Sequence, residues 1–179
     1  MTGGPTASQS DRPPDGRAPP GDSIGLLSDS HGQAMRVRRA IALLQERGVT
    51  LFLHLGDVGD GVLDELAGLE CHLVFGNCDD PRSLDGYARD IGLHVHHPGG
   101  ILEIGGQRLG FTHGHLVEEL ERLYLAKVDV LFHGHTHERS DAIVGGIRLI
   151  NPGALHRARP TTVAIYTPAK GMLESIIVP

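Results

Sequence analysis

The sequence predicts an α/β fold in which two β-sheets pack face to face with helices outside. Three observations carry that reading. The first half alternates short apolar runs with amphipathic stretches, a βαβαβ order that implies a parallel sheet with helices packed on it. The second half is interrupted by Pro-Gly and Gly-Gly pairs, which suggest short strands and hairpins. The chain has 179 residues, enough for one domain with a sizeable core and too few for two.

In chain order, residues 1–21 are rich in Pro, Gly, Ser and Thr and almost free of large apolar groups. Such a segment buries too little surface to offset its ordering entropy. It is expected to be a disordered tail, or the product of a start placed upstream of a domain that spans 22–179. Ile24 to Leu27 is an apolar run ending in small and polar residues, a buried strand. The stretch AMRVRRAIALLQERG carries apolar Met35, Val37, Ile41 and Leu44 at helical spacing, with Gly48 as its stop. A second strand is predicted over Val49 to Asp57, a short helix over 60–68 and a third strand over Cys71 to Asp80. Hairpins follow within 92–115, then a helix over Leu116 to Val128 and a buried strand before Gly134. A hairpin around Gly145-Gly146 and a closing hairpin over 161–178 complete the chain.

Composition excludes several classes. The formal net charge is −6, which argues against non-specific nucleic-acid binding. Cys71 and Cys78 give no disulfide framework, so a reducing compartment is expected. No run is long and apolar enough for a membrane span, and there is no apolar signal core. A cytoplasmic protein is the expectation, with the oligomeric state left open. There is no G-x-S-x-G elbow, P-loop or H-E-x-x-H. The anomaly is histidine. Most of the 12 fall in groups: His94, His96 and His97; His113 and His115; His133, His135 and His137.

The β-runs end in Asp29-Ser30-His31, Gly56-Asp57, Gly76-Asn77, His113-Gly114-His115 and Gly134-His135-Thr136-His137. Ligands of open α/β sheets bind beyond the carboxyl ends of the strands. One edge would therefore gather two Asp, one Asn and several His, a donor set suited to Mn, Fe, Co, Ni or Zn.

In these residues the sequence resembles the calcineurin-like metallophosphoesterases, whose motifs run D-x-H, G-D, G-N-(H or C)-(D or E), a His, and G-H-x-H. The resemblance covers about residue 22 to the end and includes the Asn151-Pro152-Gly153 loop. Small size and the Gly-Asn-Cys-Asp variant are similar to the compact single-domain YfcE-type phosphodiesterase branch; the retromer scaffold subunit shares that fold. The resemblance implies a four-layer sandwich, two packed mixed β-sheets flanked by helices. It also implies two divalent metal ions per chain, manganese foremost, with nickel, cobalt, iron or zinc as alternatives. One ion would take Asp29, His31 and His137, the other Asn77, His113 and His135, with Asp57 bridging. Asp57, Asn77, Cys78 and Asp79 are the residues assigned to catalysis. A hydroxide bridging the ions would attack phosphorus in line with the leaving oxygen. The expected substrate is a small phosphodiester or nucleotide. The alternatives are a phosphomonoesterase or nucleotide pyrophosphohydrolase, and a weakly active scaffold.

Cys78 occupies a position where larger branches of the family carry histidine. A thiol with a reference pKa of about 8.5 protonates a leaving group poorly, so diesters with good leaving groups would be favoured. A small buried residue at a strand end is the plainer reading. Asp60 and Asp79 are read as orienting ligands or backbone, or as caps. His115 is kept as a substrate contact or surface residue, and His133 as a packed strand residue. His54 and His72 are strand residues without a family counterpart. His94, His96 and His97 match no motif and are assigned to surface or hairpin positions. Arg157 and Arg159 are candidates for phosphate contact, with solvated arginines as the plainer alternative.

Overall fold

The computed structural model describes residues 23–179; the expected tail, 1–21, lies outside them. The apolar runs of the first half become β1 (Ile24–Leu27), β2 (Leu51–His54) and β3 (Glu70–Leu73), joined by α1 (Ala34–Gln45) and α2 (Val62–Leu66). A third helix, α3 (Pro81–Asp90), leads to the two-residue β4 (His94–Val95). The second half supplies β5 (Gly99–Ile104), β6 (Gln107–Thr112), α4 (Val117–Leu125), β7 (Val130–Phe132), β8 (Ser140–Val144), β9 (Ile147–Asn151), β10 (Thr162–Thr167) and β11 (Met172–Ile177).

These strands form two mixed sheets. The first has the order β11-β10-β1-β2-β3-β4, with β1 to β4 parallel, β10 antiparallel to β1 and β11 antiparallel to β10. The second has the order β5-β6-β7-β9-β8, parallel through β6, β7 and β9 with an antiparallel strand at each edge. Alternation along each strand divides the core. Ile24, Leu26 and Leu53 point between the sheets and meet Phe111, Phe132 and Tyr166. Their neighbours Leu27, Phe52 and Leu73 point outward, onto Val37, Ile41 and Leu44 of α1 and Leu66 of α2. A smaller cluster seats Leu123 of α4 on Leu131 and Ile147. Burying each such side chain stabilises the fold by about 1.5–3 kcal/mol, so the four layers follow from the apolar pattern. Gly25 lets the first sheet meet its helix closely: a Cβ there would stand 3.0 Å from Val49 Cγ1 and 3.1 Å from Leu44 Cδ1.

Three departures from the sequence expectation are informative. Strands two and three are shorter than predicted, ending at His54 and Leu73. The chain leaves the sheet there to carry its polar residues over the edge. The helix α3 is absent from the sequence expectation, although Leu84, Ala88 and Ile91 recur at helical spacing and pack on the outer core; only Ala88 within it is fully buried, so the apolar stripe is short. Its start was nonetheless written in the sequence: Asp80 caps Arg82 N at 3.1 Å, and Pro81 sits in the first turn. Finally, Pro98-Gly99 makes no hairpin. It carries the chain from β4 in one sheet to β5 in the other, whereas Gly105-Gly106 and Gly145-Gly146 do turn hairpins.

Candidate metal centre

The loops beyond β1, β2, β3, β6 and β7 meet at one edge of the sandwich. Backbone hydrogen bonds stitch them together: Asp29 N to Gly56 O (3.0 Å), His31 N to Asp57 O (2.9 Å) and Gly134 N to His113 O (2.9 Å). Asp29, Asp57 and His113 are almost wholly buried there, at 0%, 2% and 0% exposure. The backbone is held in the left-handed region at Asp29, His31, Asp57, His135 and His137, with φ between 42° and 69°. Asp and His tolerate that region better than most residues, yet each such position costs about 1–3 kcal/mol. Only two other non-glycine residues among those described share it, Lys127 and Arg157. Strain concentrated on five candidate ligands marks a place where side-chain direction outweighs backbone comfort.

The side chains converge in two overlapping sets. Ligand atoms of Asp29, His31, Asp57 and His137 all lie within 4.8 Å of one another. His31 Nε2 is 3.2 Å from His137 Nε2 and 3.3 Å from Asp57 Oδ2; His137 Nε2 is 3.2 Å from Asp29 Oδ1. On the other side of Asp57, His113 Nε2 lies 3.5 Å from Asp57 Oδ2 and 3.1 Å from Asn77 Oδ1. The His135 ring stands 5.2 Å, centre to centre, from that of His113. Asp57 therefore lies between an Asp29–His31–His137 group and an Asn77–His113 group, with His135 flanking the latter.

The carboxylates are aimed by their surroundings. Asp29 Oδ2 accepts from Ser28 Oγ (2.6 Å) and His135 N (3.1 Å). Its Oδ1 is buried and makes no hydrogen bond, with His137 Nε2 facing it at 3.2 Å. A buried carboxylate oxygen without a hydrogen bond is costly unless a cation faces it, and the nearest groups are imidazole nitrogens and Asp57. The donor set and this orphaned oxygen fit a divalent transition ion. Asp57 Oδ1 accepts from Cys78 N at 2.8 Å, leaving Oδ2 toward the histidines. Burial opposes the charge on Asp57, but the adjacent His113 imidazole and the hydrogen bond from Cys78 N–H outweigh it and hold the carboxyl well below the usual range.

The ring of His113 has its tautomer fixed by a carbonyl. Its Nδ1 lies 2.7 Å from Leu55 O. A carbonyl only accepts, so Nδ1 carries the proton and the Nε2 lone pair faces the centre. Two glycines make room for ligands: a Cβ on Gly76 would collide with Asp57 Oδ1, and one on Gly134 with Ser28 Oγ and Asp29 Oδ2.

The remaining sequence candidates fall nearby. The Asp79 carboxylate accepts from Val58 N (2.9 Å), Gly59 N (3.2 Å) and Gly76 N (2.8 Å). It ties the loop after β2 to the loop after β3 and so positions Asp57 and Asn77. The Cys78 side chain is exposed beside Asn77, whose Nδ2 lies 3.4 Å from Sγ. Partial desolvation and the Asp57 carboxylate push its thiol upward. His115 has its ring 5.3 Å from that of His113, and its buried Nδ1 has no partner. Arg157 and Arg159, with Arg139, line an open cleft of about 470 Å³ beside His137.

Sequence reasoning gave no task to His54 and named Asn151 only as part of a loop. His54 is wholly buried under the centre, with Nε2 2.7 Å from Ser30 Oγ. Gly56 N donates to its Nδ1 at 3.3 Å, so Nε2 carries the proton and donates to Ser30. Burial pushes this imidazole down to about 4, which keeps it neutral. Asn151 donates to Gly134 O (2.9 Å) and Thr136 Oγ1 (3.1 Å) and accepts from Gly153 N (2.9 Å), clamping the turn that bears His135 and His137. The available signal was the same for both: a strong hydrogen-bonding side chain at the end of a buried strand needs a partner.

Known proteins resemble this chain in sequence and fold. A family model described as the calcineurin-like phosphoesterase superfamily domain matches residues 23–171. The phosphodiesterase MJ0936 of Methanocaldococcus jannaschii is 33% identical over 136 residues, covering 73% of this chain and 82% of that protein. A solved archaeal phosphodiesterase superposes with a TM-score of 0.76 at 29% identity, over 87% of this chain and 99% of the other. The Escherichia coli phosphoesterase YfcE shares the fold at a TM-score of 0.65 and 22% identity, over 88% of this chain and 100% of the other.

Proposed function

The chain belongs to the calcineurin-like phosphoesterase superfamily, and from that premise we propose that it hydrolyses phosphodiester bonds at a dinuclear metal site. The observation that carries this reading is the buried Oδ1 of Asp29, which makes no hydrogen bond and is set within 4.8 Å of ligand atoms from His31, Asp57 and His137. Asp29, His31 and His137 would hold one ion, Asn77, His113 and His135 the other, and Asp57 both. Manganese is the proposed ion; nickel, cobalt, iron and zinc suit the same donors. When bound, such a pair activates a water for attack on phosphorus and neutralises charge on the phosphoryl oxygens.

The chain's own residues do the rest. Leu55 O and Asn151 fix the directions of His113 and of the His135–His137 turn. Asp79 holds the loops that present Asp57 and Asn77. Cys78, exposed and with its thiol pushed upward, is a poor proton donor, so leaving groups that need no proton are favoured. A phosphodiesterase among the relatives supports the diester preference. The arginine-lined cleft beside His137 favours a nucleotide as a second substrate reading, because guanidinium groups engage phosphate oxygens bidentately. A small phosphodiester or nucleotide in the cytoplasm completes the proposal. No helix among the described residues is long and apolar enough to cross a membrane. The scaffold alternative has one support, an apolar groove lined by Tyr124, Leu125, Val144 and Leu149.

The test is hydrolysis of a chromogenic phosphodiester and the matching monoester by chelator-stripped protein, with Mn, Ni, Co, Zn or Mg restored singly. The proposal expects activity that requires metal and favours the diester. A folded, metal-loaded protein inactive with every ion would move the reading to the scaffold.

A further inference from the structure

A second cluster of metal-binding side chains arises from the pairing of β3 with β4, outside the centre described above. The two strands are parallel, and His72 is the register partner of His94. Glu70 lies two residues before His72, on the same face of its strand. Ligand atoms of Glu70, His72 and His94 all lie within 4.8 Å of one another. Glu70 Oε1 is 3.5 Å from His72 Nε2 and 3.3 Å from His94 Nε2. Two imidazole nitrogens and one carboxylate oxygen thus converge from regular, paired strands, with no loop to be ordered.

The outer nitrogen of the central ring is also engaged. His72 Nδ1 lies 2.8 Å from His96 Nε2. Ligating histidines commit their second ring nitrogen to a hydrogen bond, which sets the tautomer and aims the ring. Donation from His72 Nδ1 to His96 Nε2 leaves the His72 Nε2 lone pair facing Glu70 and His94. Stacking holds the rings: His72 lies 4.6 Å from His94 and 5.0 Å from His96, centre to centre. Burial and the neighbouring imidazoles push His72 down to about 4, so the ring is neutral, the form that binds metal. Glu70 and the His94 imidazole open to solvent, at 60% and 51% side-chain exposure, leaving room for water in the remaining positions.

We propose that Glu70, His72 and His94 form a peripheral site for a divalent transition ion of the zinc type, held by two imidazoles and one carboxylate. Two imidazoles and a carboxylate with a water at the fourth corner is a donor set that zinc accepts at tetrahedral geometry; cobalt, nickel and copper(II) accept imidazole too. The proposal stands independently of the ions assigned to the strand-end centre.

The test is a zinc count by equilibrium dialysis at pH 7.5 on the full chain, free of any affinity tag. Wild type is compared with Glu70→Gln and His94→Gln, whose side chains are exposed, and with Asp57→Ala as a marker for the other centre. The expected result is one equivalent fewer in each cluster variant, or at least tenfold weaker binding of that equivalent. Asp57→Ala should retain it. Cobalt(II) added to Asp57→Ala should give a d–d absorption that disappears when His94→Gln is added to the same chain. Equal zinc counts in wild type and both cluster variants would overturn the proposal, whatever becomes of the strand-end centre.

Discussion

Two histidine clusters on one small fold differ in almost every physical respect. The strand-end centre stands on loops and five left-handed backbone positions, buries its carboxylates, and leaves an oxygen of Asp29 without a hydrogen bond. The β3–β4 cluster stands on regular paired strands, opens its carboxylate to solvent, and satisfies its central ring with another histidine. The difference teaches what each arrangement suits. Buried, strained side chains aimed at a common point are preorganised for charge that develops during reaction. A site made by strand register alone needs no strain, but its open carboxylate is screened by water and its hold on an ion is weaker.

The largest effect expected from this contrast comes from Asp57→Ala. Removing the carboxylate shared by both groups should lower diester hydrolysis about 10³-fold or more, the scale of losing a principal electrostatic group. Hydrolysis within tenfold of wild type would break the assignment of Asp57. Next, Gly76→Ala places a Cβ against Asp57 Oδ1. Metal affinity at the centre should fall about 10- to 100-fold, as when other groups that aim a ligand are disturbed; titration of activity against manganese reads this directly.

A third effect separates buried from open histidine by pH. The His54 imidazole titrates near 6.5 when unfolded and near 4 when folded. Between those values the unfolded state binds more protons, so stability is full above about pH 6.5 and declines as pH falls toward 4. The linked loss is about 3 kcal/mol for this one group. Asp57, whose carboxyl is depressed, loses its contribution only below its unfolded value of 3.8, so the two windows do not overlap. His54→Leu should flatten the fall in urea midpoint between pH 7 and 4.5 in chelator-treated protein; an unchanged slope would remove His54 as its source. The smallest effect is a gain. Cys78→His should raise turnover severalfold on diesters with poor leaving groups, and leave it little changed on good ones. No gain at intact metal content would contradict the reading of the thiol.

The strand-end residues were legible because each follows an apolar run, and in open α/β sheets such ends share an edge. Asp29, His31, Asp57, Asn77, His113, His115, His135 and His137 could be gathered on one edge for that reason, and the family resemblance, not the spacing, chose His113 over His115 as a ligand. The direction of the imidazoles could not, since it depends on Leu55 O and Asn151, which contact them only in three dimensions. Helix α3 was missed because its apolar stripe is short, Leu84, Ala88 and Ile91, and the Asp80-Pro81 start signal beside it was not read. The β3–β4 cluster was illegible for another reason. His72 and His94 are separated by a helix, and they meet only because the register pairs them; one residue of slip would send one ring to the opposite face.

The most direct test of the central claim is anomalous diffraction from crystals of the manganese-loaded protein. The account expects two peaks about 3.5–4 Å apart with an Asp57 oxygen bound to both, one bordered by Asp29, His31 and His137 and the other by Asn77, His113 and His135. A single peak, or a pair without Asp57 between them, would contradict it.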